Sequence, residues 1–352
     1  MKKLSIIILI LALVFTGLMG CQQAAPTETG ETDSPDSPAS EAPAVQASQV
    51  TIKLGHIVSE ETATHRAAVL FKEYVEETSE GQIMVELYPN GQLGGDLQMT
   101  ESVALGTLQI AVPSTAVLTA YDPVFGLLDL PFIFKDVYAG FDALDGELGA
   151  ALDEKLESIG MMNLGYSYNG ARSISNNVRP INEPDDLRGV KIRVMESPVF
   201  IDMFNTLGAN PTPMSFGEVF TGLQQGTVDG QENAPALVYA SKFYEVQDYY
   251  SLTGHVYSYL ANVMNLDFFN GLTEDHQKIV LDGARQFLVE YEREDEIQDN
   301  IDTIDKLIAE GMNVNELSEE DTRKFMDALL PMHETYKQSF GQEWFDLINM
   351  YN

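Results

Sequence analysis

The centre of the chain reads Tyr168-Asn-Gly-Ala-Arg172, Gly189-Val-Lys-Ile-Arg193-Val-Met-Glu196 and Val228-Asp-Gly-Gln-Glu-Asn233. Four of the eight arginines fall within the 22 residues that run from Arg172 to Arg193. A guanidinium is planar and always charged, and it pairs with a carboxylate through two parallel hydrogen bonds. The pattern therefore favours a site in which one or two of these arginines hold the carboxylate of a small organic anion.

The remainder of the chain is strongly acidic. Its 352 residues include 54 acids and 20 bases, which gives a net charge of −34. This charge repels nucleic acid and excludes it as a partner, and it is typical of a well-solvated surface. The single cysteine and the five scattered histidines offer no metal-ligand spacing, so neither a metal nor another cofactor is predicted.

The N-terminus has the pattern of a secretory signal, because Lys2 and Lys3 precede a short apolar run that ends at Met19. The sequence Leu18-Met-Gly-Cys21 resembles a bacterial lipobox, which predicts a lipoprotein signal peptide over residues 1–20 and lipidation at Cys21. An uncleaved anchor helix is the alternative. Either arrangement places the body outside the cytoplasmic membrane, on its periplasmic side or outer face, and the lipid at Cys21 would attach it to that membrane.

Residues 21–49 are predicted to be a disordered tether. From Gln22 to Gln49 the chain holds four prolines, five acids and no base, and Val45 is its only large apolar residue. Such a segment cannot bury enough apolar surface to offset the entropy lost on ordering. A mobile tether suits a component that hands its cargo to a membrane partner.

The body is predicted to be an α/β protein with a two-lobe, periplasmic-binding-protein-like fold. Strands and helices alternate from Val50 to Val112 and again from Arg172 to Gly230, which indicates two parallel sheets. Crossings near Asn169 and Tyr257 divide the chain into lobe I (50–169 plus 258–298) and lobe II (170–257 plus 299–352). The ligand cleft would lie between the lobes.

Several local features are also predicted. Helical periodicity over Thr273–Glu310 predicts a helix roughly 55 Å long that spans both lobes. The segment Pro211–Pro213 is interpreted as a stiff connection, and Ser215 with Glu218 as a capping box. The acids of Glu292–Glu296 are expected to coat a solvated face.

The two histidines nearest the start of the body, His56 and His65, are separated by nine residues. Neither has acidic or cysteine neighbours at a spacing that metal sites use. Both are therefore expected to be structural.

The ordered motifs resemble the extracytoplasmic solute-binding subunit of TRAP transporters, the DctP family, over about residues 50–345. The motifs that carry the resemblance are Leu54-Gly-His56, Leu87-Tyr-Pro-Asn-Gly-Gln-Leu-Gly94, Asp129-Leu-Pro-Phe132, Leu187-Arg-Gly-Val-Lys-Ile-Arg193, Leu207-Gly-Ala-Asn-Pro-Thr-Pro-Met214, Gln224-Gln-Gly-Thr-Val-Asp-Gly-Gln-Glu-Asn233 and Ser241-Lys-Phe-Tyr-Glu-Val-Gln247. Seven motifs in the same order make a specific signal.

The resemblance implies roles for four residues. It assigns the main salt bridge to the substrate carboxylate to Arg193, a second contact with that carboxylate to Arg172, and a further contact to Asn233. It places Phe216 in the pocket wall. It also implies that a small organic acid is the ligand and that the membrane subunits of a TRAP permease are the partners.

Glu196 bears on the choice of ligand, because it follows Arg193 by three residues. A carboxylate there would repel a second substrate carboxylate but would accept hydrogen bonds from hydroxyl groups. It therefore favours a sugar acid, such as a uronate or an aldonate, over a C4-dicarboxylate. Interaction of Glu196 with the dipole of the following helix is the alternative.

Two other functions are compatible with the sequence. The same fold could serve as a ligand-sensing subunit for a membrane kinase. A lipid-anchored hydrolase with paired carboxylates is the second alternative, but the chain has no Gly-x-Ser-x-Gly elbow and no metal motif. We therefore expect a binding protein and not an enzyme.

Overall fold

The computed structural model describes residues 49–352, so the expected signal peptide, Cys21 and all of the expected tether except Gln49 lie outside the described residues. The described residues form one mixed sheet and a series of helices. The strands are β1 Val50–Gly55, β2 Ile83–Tyr88, β3 Ile110–Ala111, β4 Met161–Asn176, β5 Lys191–Val194, β6 Asn210–Pro213, β7 Gly230–Asn233, β8 Tyr249–Asn265 and β9 Asn313–Glu316.

The strand order is β2-β1-β3-β8-β4-β7-β5-β6, and β9 pairs with β8 outside this path. β1 is parallel to β2 and β3, and β5 is parallel to β6 and β7. Between these two groups lie β4 and β8, which are antiparallel to each other and to their outer neighbours. The protein is therefore an α/β protein of two lobes, as predicted. The expectation of two parallel sheets is wrong, because the two longest strands, β4 and β8, join both parallel groups into one mixed sheet.

The helices cover the rest of each lobe. They are α1 Ala63–Thr78, α2 Asp96–Ala104, α3 Val137–Leu144, α4 Glu147–Glu157, α5 Pro198–Thr206, α6 Phe216–Gln224, α7 Pro235–Ala240, α8 Leu266–Asn270, α9 Glu274–Gly283, α10 Glu292–Ala309, α11 Glu319–Leu329, α12 Pro331–Phe340 and α13 Gln342–Asn349. Short 3₁₀ segments cover Thr115–Ala120, Pro123–Asp129, Pro184–Leu187 and Phe243–Glu245. The apolar faces of α1, β1 and β2 form one core cluster, and α6, α7 and β9 contribute to another.

The predicted crossing at Asn169 falls inside β4. The register between β4 and β8 shifts between Tyr168 and Ala171, and Gly170 there has a φ of 83°. Glycine adopts this conformation without strain because the residue has no Cβ. The chain thus passes between the lobes through an irregular point of a continuous strand. The division of the lobes by residue number stays a prediction.

The Pro211–Pro213 segment is strand β6 and not merely a stiff connection. It pairs with β5 at the edge of the sheet, where the Asn210 N–H donates to the Val190 carbonyl at 2.8 Å. Proline is tolerated at a sheet edge because its missing N–H can face away from the ladder. This strand fixes the position of Met214, which follows it. The later edge strand β9 is a further element that was not predicted from the sequence pattern.

The long helix runs without interruption from Glu274 to Ala309 through α9, a π-helical segment over Ala284–Tyr291, and α10. It contacts α1 in the first lobe and both α7 and β9 in the second. The prediction of a helix that spans both lobes is therefore confirmed.

The expectation of a solvated Glu292–Glu296 face is wrong, because Glu292, Arg293 and Glu296 are all buried. Glu292 accepts hydrogen bonds from the Tyr168 N–H at 2.9 Å and from the Thr64 hydroxyl at 3.2 Å. Glu292 therefore ties α10 to β4 and α1 instead of facing solvent.

The C-terminal helical region is divided into three helices, since Pro331 opens α12 and Gly341, with a φ of 105°, separates α12 from α13. The Ser318 hydroxyl caps α11 by accepting from the Asp321 N–H at 3.2 Å. The Tyr351 hydroxyl accepts from the Glu147 N–H at 3.1 Å. The end of the chain thus packs against α4, which belongs to the segment assigned to lobe I.

Candidate functional site

Strands β4, β7 and β5 are neighbours in the sheet, and they bring three of the predicted residues together. Arg172 lies on β4 beside Ser173, which pairs with Asn233 at the end of β7, and Arg193 lies on β5. All three line one cavity of about 340 Å³. Phe216 and Glu196 line the same cavity. The five residues proposed from the sequence are therefore brought to one place.

Arg193 is 3% exposed and is held by a single backbone group. Its Nε and Nη2 atoms donate to the Met214 carbonyl at 2.9 and 2.7 Å, directly after strand β6. Its Nη1 atom is buried and has no hydrogen-bond partner among the described residues. Burial lowers the pKa of Arg193 to about 10, so the guanidinium is still charged at neutral pH.

Arg172 is fully buried and is paired within the protein. Its Nε and Nη2 atoms donate to the two carboxylate oxygens of Glu232 at 2.5 and 2.8 Å, and Nη2 also donates to the Glu232 carbonyl at 2.7 Å. The guanidinium lies 5.3 Å from the centre of the Phe200 ring. Its Nη1 atom, like that of Arg193, is buried without a partner in the described part of the chain.

Glu232 is a site residue that the sequence reasoning missed. Burial alone would raise its pKa, but the Arg172 guanidinium and the His255 ring outweigh burial and hold the pKa below its ordinary value. Glu232 is therefore ionised at neutral pH and neutralises Arg172. Its position inside the Asp-Gly-Gln-Glu-Asn233 motif was a usable signal, since a buried arginine requires an anionic partner.

The Asn233 side chain is oriented by a row of buried polar groups. Its Nδ2 atom donates to the Gln231 side-chain oxygen at 2.5 Å, and Gln231 donates in turn to the Ser175 hydroxyl at 2.8 Å. The Ser175 hydroxyl donates to the Gln247 side chain at 3.1 Å. A side chain held in this way is preorganised to contact a ligand.

Phe216 and Glu196 form parts of the cavity wall. Phe216 begins α6 and is half-buried, with its ring centre 6.0 Å from that of Phe243. Glu196 lies between β5 and α5 and is exposed. The capping box expected before α6 is absent: the Ser215 hydroxyl donates to the Glu218 carboxylate at 2.8 Å and caps no helix N–H.

Two further cavity residues, His56 and Asp96, come from the first lobe. His56 was expected to be structural, and its Nε2 atom does lie 3.1 Å from Nδ1 of His65. It also lines the cavity, however, and its Nδ1 atom is buried without a partner in the described chain. Burial, with a smaller effect of His65, lowers the pKa of His56 to about 4, so its ring is neutral at pH 7.

Asp96 is the first residue of α2 and follows Gly95. One carboxylate oxygen, Oδ2, accepts from the Ser114 N–H at 3.2 Å. The other, Oδ1, is buried and has no partner within residues 49–352. Burial raises the pKa of Asp96 to about 7, whereas the Ser114 N–H and the charge of Arg193 act to lower it.

The sequence profile of the DctP family, bacterial extracellular solute-binding protein family 7, matches residues 54–339. The chain belongs to this family. Its members of known structure have the two-lobe fold seen here, and the protein is accordingly a TRAP-type extracytoplasmic solute-binding protein.

Individual members of the DctP family resemble the chain over most of its length. The 2,3-diketo-L-gulonate-binding periplasmic protein YiaO of Escherichia coli is 36% identical over 79% of this chain and 84% of its own. The sugar acid binding protein DctPAm of Advenella mimigardefordensis, solved with galactonate, is 34% identical with a TM-score of 0.83, over 86% of this chain and 99% of its own. A TRAP periplasmic solute binding protein of Sulfurospirillum deleyianum, solved with succinate, is 32% identical with a TM-score of 0.83, over 87% of this chain and 100% of its own.

Arg179 and Arg188 are not part of the site, because both are exposed and Arg188 pairs with Asp185 at 2.9 Å. Across residues 49–352, no three His, Cys, Asp or Glu side chains are grouped so that they could hold a metal ion. None of the helices in that range is both long and apolar enough to cross a membrane.

Proposed function

We propose that this DctP-family protein captures a hydroxylated monocarboxylate of sugar-acid size and delivers it unaltered to the membrane subunits of a TRAP permease. One observation carries the proposal. The Nη1 atoms of Arg172 and Arg193 are both buried without a partner in the described chain, and both arginines line the same cavity.

A carboxylate matches the demand of these two atoms. A buried charged donor that lacks a partner is costly, and the cost disappears when an anionic acceptor enters. Arg193 presents a full positive charge, since within residues 49–352 its other nitrogens contact only the neutral Met214 carbonyl. Arg172 contributes a donor whose charge Glu232 already balances. We therefore assign the main ion pair to Arg193 and an additional hydrogen bond to Arg172.

The rest of the cavity suits a ligand with hydroxyl groups. Asn233 offers an oriented amide, and the exposed Glu196 offers carboxylate oxygens that accept from hydroxyls. A volume of about 340 Å³ lies within the range of small-ligand sites. One structural relative carries galactonate and another carries succinate, so both ligand classes occur in the family. Glu196 favours the first class for this chain.

Delivery to a permease agrees with the N-terminal sequence. Cleavage before Cys21 and lipidation of that residue would attach the body to the outer side of the cytoplasmic membrane through the segment 21–49. Mass spectrometry of membrane-extracted protein tests this attachment: a diacylglyceryl modification on an N-terminal Cys21 is expected, and an unmodified Met1 would contradict it.

Isothermal titration calorimetry with galactonate, glucuronate and succinate tests the ligand class. We expect binding of at least one sugar acid, loss of measurable binding in Arg193→Ala, and wild-type affinity in Arg179→Ala, which removes an exposed arginine. NMR spectra of the sugar acid after long incubation should be unchanged. Absence of carboxylate binding by the wild-type protein would refute the proposal, and so would unchanged affinity in Arg193→Ala.

A further inference from the structure

We propose that Asp96 is a specificity-determining residue: it accepts a hydrogen bond from a ligand hydroxyl and thereby selects hydroxylated monocarboxylates against dicarboxylates. This inference rests on the proposed function and adds the residue that makes the choice. Asp96 belongs to the first lobe, whereas Arg193 and Asn233 reach the same cavity from strands β5 and β7.

The Asp96 carboxylate is held in a fixed orientation. Its Oδ2 atom accepts from the Ser114 N–H at 3.2 Å, and Ser114 forms a bridge with Leu260 on strand β8. The Asp96 carbonyl accepts from the Thr100 hydroxyl at 2.7 Å, which anchors the backbone in the first turn of α2. Since Oδ2 already accepts from Ser114, Oδ1 is the carboxylate oxygen that is left without a partner within residues 49–352.

Asp96 and Arg193 influence each other without touching. Each charge affects the pKa of the other group, yet the two side chains form no ion pair within the described residues. Both line the cavity, and each keeps one buried polar atom unpartnered there, an acceptor on Asp96 and a donor on Arg193. A ligand that satisfies both atoms must offer an acceptor to Arg193 and a donor to Asp96. A carboxylate and a hydroxyl on one molecule meet this requirement.

A dicarboxylate is a poor match for this pair of atoms, because the cavity that would hold its second carboxylate is acidic. Its second carboxylate would enter a cavity whose lining includes the acids Asp96, Glu101 and Glu196. Like charges confined to one cavity repel, and the neutral His56 ring does not offset them. Glu101 and Glu196 are exposed, so water can satisfy their oxygens. The Oδ1 atom of Asp96 is buried and has no partner within residues 49–352, so of these three acids Asp96 gains most from a ligand hydroxyl.

The test uses the variant Asp96→Asn and two ligands, galactonate and galactarate, which differ only in a terminal alcohol or carboxylate. Titration at pH 8 keeps Asp96 mostly ionised in the wild-type protein. In the variant, the amide oxygen is expected to accept from Ser114 and the amide nitrogen to face the ligand as a donor. We expect wild type to prefer galactonate at least tenfold. Asp96→Asn should bind galactonate about 10- to 100-fold more weakly and lose most of that preference.

Glu147→Gln is the matched control, because Glu147 also opens a helix after a glycine but is exposed and lies outside the cavity. It should retain both wild-type affinities. Asp96→Ser gives the same test if the asparagine variant does not fold.

Two outcomes would overturn the inference in different ways. If wild type binds galactonate and Asp96→Asn binds both ligands with unchanged affinities, Asp96 has no role in selection while the proposed function stands. If wild type binds no carboxylate at all, the proposed function fails and the role of Asp96 fails with it.

Discussion

Arg172 donates to both carboxylate oxygens of Glu232, at 2.5 and 2.8 Å, and both side chains are inaccessible to solvent. The pair joins strand β4 to strand β7 at the cavity. Two of the three guanidinium nitrogens are therefore occupied before any ligand arrives, and only Nη1 is left. Within the described chain Arg172 acts as an internally neutralised donor, whereas Arg193 forms no ion pair and offers its positive charge to the cavity.

Glu232→Gln is expected to destabilise the ligand-free protein strongly. The substitution keeps the shape of the side chain but leaves the Arg172 charge buried and unpaired, which costs about 3–5 kcal/mol of unfolding free energy. Chemical denaturation measures the loss. The control Asp185→Asn breaks the exposed Arg188–Asp185 pair and should cost less than about 1 kcal/mol. Equal losses in the two variants would show that burial of the Arg172–Glu232 pair is not important.

The sequence contained enough information to place Arg193 and Asn233. Both lie at the ends of short parallel strands, and the alternation of strands and helices predicts that such ends meet at one edge of a sheet. The long helix was also predictable, because a helical period sustained from Thr273 to Glu310 requires no knowledge of tertiary contacts.

Other features depend on contacts that no local pattern specifies. The burial of Glu292 and Glu296 arises because β4 and α1 pack against α10, and the sequence shows only a run of acids. Strand β6 contains two prolines, which argue against a strand unless the segment is known to lie at an edge. Asp96 reaches the cavity through the pairing of distant segments, so helix position alone could not reveal it.

Arg193→Lys is expected to weaken galactonate binding about 100-fold while the fold is retained. Lysine keeps the charge, but a single ammonium cannot bind the Met214 carbonyl with two N–H groups and also present a fixed third donor to the ligand. Calorimetry measures the affinity and circular dichroism checks the fold. Arg179→Lys, an exposed replacement of the same type, should bind as wild type does. A conserved affinity in Arg193→Lys would mean that charge alone, without the guanidinium geometry, holds the ligand.

Glu296→Gln is expected to flatten the dependence of stability on pH. Burial is the main cause that raises the pKa of Glu296 to about 8, above the unfolded value near 4.5. The native state therefore binds this proton more tightly than the unfolded state. The unfolding free energy should fall as pH rises from about 4.5 to about 8, by up to about 1.4 kcal/mol per pH unit. Glutamine mimics the protonated acid and can still accept from Asn300.

Melting temperatures of the ligand-free protein between pH 5 and pH 8 test the role of Glu296. Wild type should lose stability toward pH 8, and Glu296→Gln should lose less. The stability of Glu296→Gln should still fall somewhat with rising pH, since burial also raises the pKa of Asp129 to about 8. Glu294→Gln, an exposed change on the same helix, should follow the wild-type profile. A steeper decline in Glu296→Gln than in wild type would contradict the assigned direction of the pKa shift.

Gly170→Ala is expected to reduce both stability and ligand affinity, because Gly170 lies in the irregular part of β4 between two cavity residues, Asn169 and Arg172. A Cβ there would collide with the Cβ of Ala234 and press on the Asn300 side chain. The positive φ adds a backbone cost of roughly 1–2 kcal/mol. Thermal unfolding and galactonate titration measure the two losses.

Gly189→Ala is the control that separates the backbone cost at Gly170 from the steric one. Gly189 has a φ of 75°, so alanine is strained there too, but a Cβ at this position would meet no atom within 4 Å. Gly170→Ala should therefore lose more stability than Gly189→Ala, and it alone should lose affinity for galactonate. If the two alanine variants have the same melting temperature and the same affinity for galactonate, close packing at the lobe crossing does not shape the site.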